Sequence, residues 1–267
     1  MFSLKHKNAV VFAASGEIAT ATARAFAMQG AHVFLSARRL APIQKLAEEI
    51  RQQDGQAQAA IVDATNEAAI NQYLDGLVQE AGPIDIVFNG IGLRAQDAAY
   101  GLPATELSYE QFLLPLKTIL GSQFLTSRVV AQRMIQAQHP GTILLLTASL
   151  SRLKMGMMSG ITAACTGIEG LTRSLAGELG PFGIRVLCMN PTAIQESRTI
   201  RETNAANAAQ LGISPEALAE NIMRSNLLGK SPSLNDIGQF AAFLASDAGS
   251  ILNSHIVDAD FGNTTVI

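Results

Sequence analysis

The stretch Val11–Ala27, VFAASGEIATATARAFA, has the outline of a β-strand, a tight turn and an α-helix. Such a unit can bind the pyrophosphate of a dinucleotide, because glycines let the turn bend sharply and let the backbone approach the phosphates. Here the turn contains one glycine, Gly16, where this kind of turn usually has three. The stretch therefore predicts strand, turn and helix, and it permits a dinucleotide without demanding one.

The remainder of the chain repeats this alternation of apolar runs and helical segments. Strands that are buried on both faces of a sheet have nearly continuous apolar sequence. Seven runs have this character: AVVFAA from Ala9, AHVFLSA from Ala31, AAIVDA from Ala59, IDIVFNG from Ile84, GTILLLTAS from Gly141, GIRVLCMNP from Gly183 and HIVDAD from His255. Strands that alternate with helices imply right-handed crossovers. We therefore predict an α/β fold, a single Rossmann-type, doubly wound domain over residues 1–267 with about seven parallel strands flanked by helices.

Residues 192–234 interrupt this rhythm. Gln195–Asn207 is polar, and two amphipathic pieces follow before SLNDIGQFAAFLASD, which opens with a capping box of Ser233 and Asp236. Long excursions at the carboxyl edge of a parallel sheet are where lids usually lie. We predict a lid or substrate-side excursion here, with a surface decoration as the alternative.

Composition excludes several classes of function. The 267 residues are 48% hydrophobic and 15% charged, and the net charge of −3 gives no electrostatic footprint for nucleic acid. The apolar run after Lys5 and Lys7 is short and leads into a polar turn, so a first strand is favoured over a signal peptide. Two cysteines suit a reducing compartment and have no metal-ligand spacing. We predict a cytoplasmic protein without metal, nucleic-acid or membrane partners.

The turn itself, Ala13-Ala14-Ser15-Gly16-Glu17-Ile18-Ala19, places the chain in a known context. From the first strand to the last, the chain resembles the short-chain dehydrogenase/reductase superfamily. That family writes this turn T-G-x-x-x-G-x-G, so Phe12 stands at the threonine, and Ala13, Glu17 and Ala19 stand at the glycines. Ala19 is small enough to preserve helix packing, and Ala13 is tolerated if its φ angle stays negative.

Glu17 is the serious departure from the family pattern. A carboxylate in the first helical turn stabilises the helix through its dipole by about 0.3–1 kcal/mol. The same position is where a pyrophosphate would lie. Two unit charges about 5 Å apart at an effective dielectric constant near 20 repel each other by roughly 3 kcal/mol. A Glu17 side chain that swings toward water would avoid most of that repulsion.

The resemblance implies further residues on the cofactor side. Arg38-Arg39 follow the second strand, where a guanidinium pairs with the 2′-phosphate of NADP(H), although a solvent-facing loop explains them too. Asp63 matches an aspartate beside the adenine, with a helix cap as the alternative. The fourth strand ends in Asn89-Gly90-Ile91-Gly92 where the family has N-N-A-G, and Pro191-Thr192-Ala193-Ile194 resembles the P-G-x-I loop beside the nicotinamide. The predicted cofactor-binding residues are Ala13, Ser15, Gly16, Ile18, Arg38, Asp63, Asn89, Gly90 and Ile194.

The family's catalytic residues have counterparts here without the usual chemistry. The resemblance implies a tyrosine that exchanges the proton, a lysine one helical turn later, an upstream serine and a supporting asparagine. In GITAACTGIEGLTRSLAGELGPFGIRV the motif EGLTRSLAGEL fixes the alignment. It puts Ile161 at the tyrosine, Cys165 at the lysine, Ala148 at the serine and Thr118 at the asparagine. Ser149 could replace the serine if the loop shifts by one residue.

We interpret one face of this helix as an apolar stripe, because its residues have the spacing of a helix packed on a core. The stripe consists of Ile161, Cys165, Ile168 and Leu175. Cys165 has no evident base and is predicted to be inert. Tyr100 could supply a phenol from the loop after the fourth strand, with ordinary loop packing as the alternative.

We therefore predict a divergent oxidoreductase-type protein. It would prefer NADP(H) if it binds a dinucleotide, and ordinary carbonyl–alcohol redox would be absent or very slow. The alternatives are a non-catalytic sensor or partner subunit, and a non-redox enzyme with an apolar pocket for a small hydrophobic ligand. The resemblance also implies a homodimer or homotetramer through the helices expected at Leu107–Gln138 and Ile161–Gly180. Their proposed contact residues are Ala163, Ala164, Gly167 and Gly170.

Overall fold

Seven strands build the centre of the molecule in a computed structural model that describes residues 2–94 and 97–264. The strands are β1 (Asn8–Phe12), β2 (His32–Ala37), β3 (Gln56–Ile61), β4 (Ile86–Asn89), β5 (Gly141–Leu146), β6 (Ile184–Pro191) and β7 (Ile256–Ala259). All pair in parallel, in the order β3-β2-β1-β4-β5-β6-β7. The predicted α/β fold, with seven parallel strands in a single doubly wound domain, is confirmed.

Helices cover both faces of this sheet. They are α1 (Glu17–Met28), α2 (Leu40–Arg51), α3 (Glu67–Ala81), α4 (Tyr109–Pro115), α5 (Gly121–Gln136), α6 (Ser159–Leu179), α7 (Arg198–Leu211), α8 (Pro215–Arg224) and α9 (Leu234–Ala245). A π-helical turn, Leu116–Leu120, separates α4 from α5. The helix expected over 107–138 is therefore divided. Short π segments inside helices are frequent at functional sites.

Two apolar cores form because successive strand side chains point to opposite faces of the sheet. Ala9 and Val11 pack with residues of α1, α2 and α9 on one face. Val10 and Phe12 pack with residues of α3, α5 and α6 on the other face. Each large apolar side chain that is fully buried contributes about 1.5–3 kcal/mol. The two cores explain why the strand sequences are apolar without alternation.

Helices α1 and α9 approach each other very closely at Gly238. A Cβ atom at this position would lie 2.5 Å from the Ala21 carbonyl oxygen. The predicted capping box at the start of α9 is also present, since Ser233 accepts from the Asp236 backbone and Asp236 accepts from the Ser233 backbone. The position of α9 is thus set by a tight crossing and a defined start.

The end of α9 is held by the half-buried guanidinium of Arg185 in β6. It donates to five oxygens: Gly249 O at 3.0 Å, Leu252 O at 3.1 Å, Thr142 Oγ1 at 2.9 Å, Leu244 O at 3.0 Å and Ser246 O at 3.4 Å. The carbonyls at the carboxyl end of a helix have no partner within the helix, so a side-chain donor that satisfies them stabilises the fold. Arg185 therefore joins β5, β6 and the segment after α9.

The excursion over residues 192–234 consists of α7 and α8. Ser197 caps α7 by accepting from the Ile200 backbone, and Ser214 caps α8 by accepting from the Ala217 backbone. Both helices follow the carboxyl end of β6. The excursion therefore lies at the edge where ligands bind in folds of this type, and its role as a lid stays a prediction.

Two of the small residues proposed for subunit contacts are used inside the chain. Ala164 is fully buried, and a Cβ atom at Gly167 would lie 2.6 Å from Leu120 Cδ2. Ala164 is therefore not available to a twin helix, whereas the contact roles of the half-buried Ala163 and Gly167 stay predictions. Gly170 faces open space, and self-association itself stays a prediction. Within residues 2–94 and 97–264, no helix combines the length and apolarity that crossing a bilayer requires.

Candidate active site

The sheet places the turn after β1 beside the end of β4. The strand order reverses between these two strands, and ligands bind in the crevice outside the carboxyl ends at such a switch point. Gly90 N–H donates to Phe12 O at 3.2 Å, which joins the two strand ends directly. The predicted nucleotide-binding residues of both strands therefore share one edge.

The turn after β1 is tight and conformationally strained. Gly16 N–H donates to Ala13 O at 2.9 Å and closes the bend. Ala13 has φ +55°, in the left-handed region, so the condition under which an alanine is tolerated there without strain, a negative φ, is not met. A residue with a Cβ atom costs roughly 1–2 kcal/mol in that region. The backbone therefore keeps the shape that a glycine turn has, although the glycine is absent.

Two departures from the family pattern prove to be neighbours. Ala19 stands where the family has glycine, and Gly90 stands where the family has asparagine. A Cβ atom at Gly90 would lie 2.7 Å from the Cβ atom of Ala19. Only one of the two positions has room for a side chain. The methyl group that Ala19 adds in α1 is therefore matched by the absence of a side chain at Gly90, at the end of β4.

We expect Gly90→Ala to destabilise the protein by about 1–3 kcal/mol, the usual cost of overpacking. In the double variant Ala19→Gly/Gly90→Ala the clash is removed, so the two effects should be less than additive by about 1–2 kcal/mol. Urea denaturation followed by circular dichroism measures both. Gly92→Ala is the matched control, because a Cβ atom there meets no atom of the described residues within 4 Å. Strict additivity of the two substitutions would contradict the pairing.

Glu17 does not point away into water. It is the first residue of α1, and its Oε2 atom accepts from the backbone N–H of Arg198 at 2.6 Å. Arg198 is the first residue of α7. The swing toward water that would relieve repulsion with a phosphate is therefore not the position that this side chain takes here. Sequence reasoning could identify the acid but not its partner, which lies 181 positions away.

The cofactor-side residues after β2 and β3 are exposed. Among the described residues, the guanidinium groups of Arg38 and Arg39 have no hydrogen bond or ion pair, which leaves them available to an anion. Asp63 accepts from the backbone N–H and the hydroxyl of Thr65. These bonds, with a smaller effect of Arg38, hold the pKa of Asp63 below its ordinary value. The alternative role as a helix cap is wrong, because Asn66 caps α3.

Asn89 is buried and fully engaged at the end of β4. Its Nδ2 donates to Thr126 Oγ1 at 2.8 Å, and its Oδ1 accepts from Ile91 N–H at 2.9 Å. Ile194 follows β6 in the chain and is also buried, in the same core as Ala9 and Val11. Ser15 is exposed in the turn, and Ile18 packs partly against the same core. The structure therefore groups these residues along the strand ends, with Asn89 as a support for the loop.

Helix α6, which carries the positions aligned with the family's tyrosine and lysine, has an apolar face that we call the apolar wall. Ile161 is 7% exposed and Cys165 is 3% exposed, and Ile168 and Leu175 are buried with them, which confirms the apolar stripe. Burial raises the pKa of the Cys165 thiol, more than its hydrogen bonds with Ala148 and Thr147 lower it. The thiol therefore stays protonated at neutral pH. Ala148 packs half-buried against the same core, and Thr118 lies half-buried in the π-helical turn.

Tyr100 joins this wall from the loop after β4. Its ring packs against the core that contains Ile161 and Cys165. Burial, with a smaller effect of Cys165, raises the pKa of Tyr100 to about 12. The neighbouring Gly101 N–H donates to Met157 O at 3.1 Å and holds the loop against the start of α6. Packing therefore places Tyr100 beside Ile161 and Cys165. Its phenol is a weaker acid there than an exposed tyrosine.

Helix α4 closes against the same end of α6. A Cβ atom at Gly160 would lie 2.8 Å from the Phe112 carbonyl oxygen, so this glycine permits the contact. Gly160 directly precedes Ile161, the position that aligns with the family's tyrosine. Sequence reasoning missed this contact, although an isolated glycine at the start of a long helix was a signal of close approach.

A polar network behind the wall was also missed. Ser149 is buried, and its hydroxyl donates to Asn190 Oδ1 at 3.3 Å. Asn190 Nδ2 donates in turn to Asp258 Oδ1 at 2.7 Å. Arg152 pairs with Asp258 at 2.7 Å and with the buried Glu169 at 3.8 Å. Ser149 is therefore engaged by this network, and polar residues inside the apolar ends of β6 and β7 were the available signal.

No metal centre is formed by these groups, since the part of the chain that the structure describes has no cluster of three histidine, cysteine or acidic side chains. The residues of the apolar wall determine which proton donors are present at this site. The wall offers a protonated thiol and a phenol of raised pKa, both of which are poor proton donors at neutral pH.

Comparison with known proteins agrees with the fold and the strand ends. The family model described as enoyl-(acyl carrier protein) reductase matches residues 13–264. Momilactone A synthase of Oryza sativa subsp. japonica is 32% identical over 97% of this chain and 90% of its own. The probable 2,4-dienoyl-CoA reductase of Bacillus subtilis (strain 168) is 26% identical over 97% of both chains. This protein therefore belongs to the short-chain dehydrogenase/reductase superfamily and is an oxidoreductase-family protein.

A solved structure shows the likeness of the fold directly. The crystal structure of NAD+-bound xylitol dehydrogenase superposes with a TM-score of 0.88 over 96% of this chain and 98% of that chain, at 22% sequence identity. At this identity the likeness concerns the fold alone.

Proposed function

We propose that this protein is an NADP(H)-preferring oxidoreductase that works without the tyrosine–lysine pair of its family. The observation that supports this most strongly is the burial of Ile161 and Cys165 where the alignment expects those two residues. Neither side chain replaces the tyrosine–lysine pair as a solvent-connected proton donor, since Ile161 has no ionisable group and the Cys165 thiol is buried, which raises its pKa. Reduction of simple ketones is therefore absent or very slow.

The residues present fit the adenosine side of a dinucleotide. Arg38 and Arg39 are exposed at the end of β2, next to the strand that leads into the turn, and a guanidinium pairs bidentately with a phosphate. Asp63 follows the neighbouring β3 as an ionised carboxylate. The pyrophosphate region fits on one condition, that the Glu17 carboxylate moves. When it is bound, NADPH supplies a hydride, and the chain's own residues position the acceptor and exclude water.

An activated carbon–carbon double bond is the substrate class that this site favours. Hydride addition to a conjugated double bond produces a delocalised enolate, which depends less than a localised alkoxide on a proton supplied during the hydride transfer. The apolar wall of Ile161, Ala148, Met158 and Tyr100 suits a small hydrophobic molecule. The match to a family described as enoyl reductases and the dienoyl-CoA reductase relative support the same class.

The cofactor preference is tested by titrating NADPH and NADH into the protein and into Arg38→Ala by fluorescence. A charge-assisted hydrogen bond contributes about 1.5–3 kcal/mol, so loss of Arg38 should weaken NADPH binding about tenfold or more. NADH binding should stay unchanged, because NADH has no 2′-phosphate. Lys45→Ala is the matched control, since Lys45 is exposed on the adjacent α2 and the variant loses the same charge.

Equal affinity of the protein for NADPH and NADH, with no effect of Arg38→Ala, would overturn the NADP(H) preference. Equal weakening by Arg38→Ala and Lys45→Ala would assign the effect to net charge instead of a specific contact. Nucleotide binding without turnover of any enone would favour the non-catalytic alternative. Product formation without nucleotide would favour a non-redox enzyme.

A further inference from the structure

The Glu17 carboxylate lies between the amino-terminal ends of two helices. It belongs to the first residue of α1, and it accepts from the first backbone N–H of α7 at 2.6 Å. The first N–H groups of a helix have no partner within the helix, and the helix dipole adds positive potential at the same end. One carboxylate therefore satisfies a donor of α7 while it stays in the positive end of α1.

This position is the one that a phosphate would require. The amino-terminal end of the helix after β1 is where a fold of this type places a pyrophosphate. A carboxylate and a phosphate are both anions that accept from backbone N–H groups. The two cannot occupy the same space, and at short range they repel each other. Glu17 therefore opposes a nucleotide phosphate at the turn by charge and by space, while its own hydrogen bond is made with α7.

The same contact ties the excursion to the edge of the sheet. Arg198 begins α7, and one turn later Glu202 pairs with Arg94, at 2.9 Å, in the loop after β4. The first turns of α7 are thus fixed at two points, one from the turn after β1 and one from the loop after β4. A change at Glu17 reaches the excursion directly, without an intermediate element.

We propose that Glu17 is an internal anion that determines ligand selectivity at the turn. In the absence of nucleotide it holds α7 against the turn, and it must leave before a dinucleotide phosphate can enter. Nucleotide entry and release of α7 from Glu17 are therefore coupled. The proposal rests on the proposed NADP(H) function and adds to it the residue that sets the affinity.

The test uses Glu17→Gln, which keeps the shape and removes the charge, and Glu17→Ala, which removes the contact. Glu216→Gln is the matched control, because Glu216 is an acid in the first turn of α8 and the variant has the same net charge as Glu17→Gln. Two quantities are measured in the full chain, the NADPH dissociation constant by fluorescence titration and the hydrogen-exchange rate of the Arg198 amide by NMR.

Both Glu17 variants should bind NADPH about tenfold or more tightly than the unchanged protein, since the repulsion between two nearby anions is removed. Exchange at Arg198 should be about tenfold faster in Glu17→Ala, because loss of a charge-assisted hydrogen bond exposes the amide. In Glu17→Gln the exchange rate should rise less, because the amide oxygen still accepts. Glu216→Gln should match the unchanged protein in both quantities.

Three results would overturn the proposal, and they separate it from the proposed function. If the unchanged protein and both Glu17 variants bind NADPH equally well, the nucleotide function stands and Glu17 is not the selective group. If none of them binds NADPH at millimolar concentration, the nucleotide function fails together with the proposal. An Arg198 amide that exchanges at the same rate in all variants would refute the hold on α7, whatever the affinities are.

Discussion

Supplied with NADPH, the purified protein should reduce an α,β-unsaturated ketone about 10²–10⁴ times faster than the saturated ketone of the same carbon skeleton, the range that a positioned proton donor is worth. Hydride addition to the saturated ketone leaves a localised alkoxide that needs a proton at once. The wall offers Ile161 and a thiol whose pKa burial raises. The enolate from the unsaturated ketone spreads its charge and tolerates the weak donors present.

The matched pair of substrates isolates proton supply from binding, because size and apolarity are nearly equal. NADPH oxidation followed at 340 nm, with product identified by mass spectrometry, gives both rates. Ketone consumption within tenfold of the enone rate would show that an efficient acid exists in this site, contrary to the proposal. A reaction of equal rate without NADPH would exclude hydride transfer from the nucleotide.

Arg185→Met should reduce the free energy of unfolding by about 3 kcal/mol or more, because the loss of one half-buried cation removes five hydrogen bonds and takes from the Leu244 and Leu252 carbonyls the donor that they have here. The guanidinium serves Leu244, Ser246, Gly249 and Leu252 at once. Methionine keeps the apolar stem and removes the five hydrogen bonds. For a domain of this size the unfolding temperature should fall by roughly 6–12 °C, measured by differential scanning calorimetry.

Arg224→Met is the control for this substitution. Arg224 pairs with Glu220 on the surface of α8, and its side chain is 71% exposed. Exposed ion pairs contribute about 0–1 kcal/mol, so this variant should unfold within about 3 °C of the unchanged protein. Equal loss of stability in the two variants would show that the buried network around Arg185 contributes no more than a surface pair.

The sequence alone predicted the elements and their order. Apolar runs of strand length, separated by segments with helical period, can bury both faces of a sheet in only a few topologies. The right-handed chirality of crossovers excludes most of those topologies. The capping box at Ser233 and the stripe of Ile161 and Cys165 were predicted for the same reason. Their information is local, since it depends on residues within a few positions of one another.

Tertiary structure decided whatever depends on residues far apart in the chain. Ala13 takes a left-handed φ because Gly16 must close the turn onto its carbonyl, and Gly90 lacks a side chain because Ala19 occupies the space. Glu17 meets Arg198 only because the crossovers bring the first and seventh helices to one edge. Periodicity and composition describe each segment's own burial, whereas contact partners depend on how the segments pack against one another. The fold was therefore readable from the sequence, and the electrostatics of the site were not.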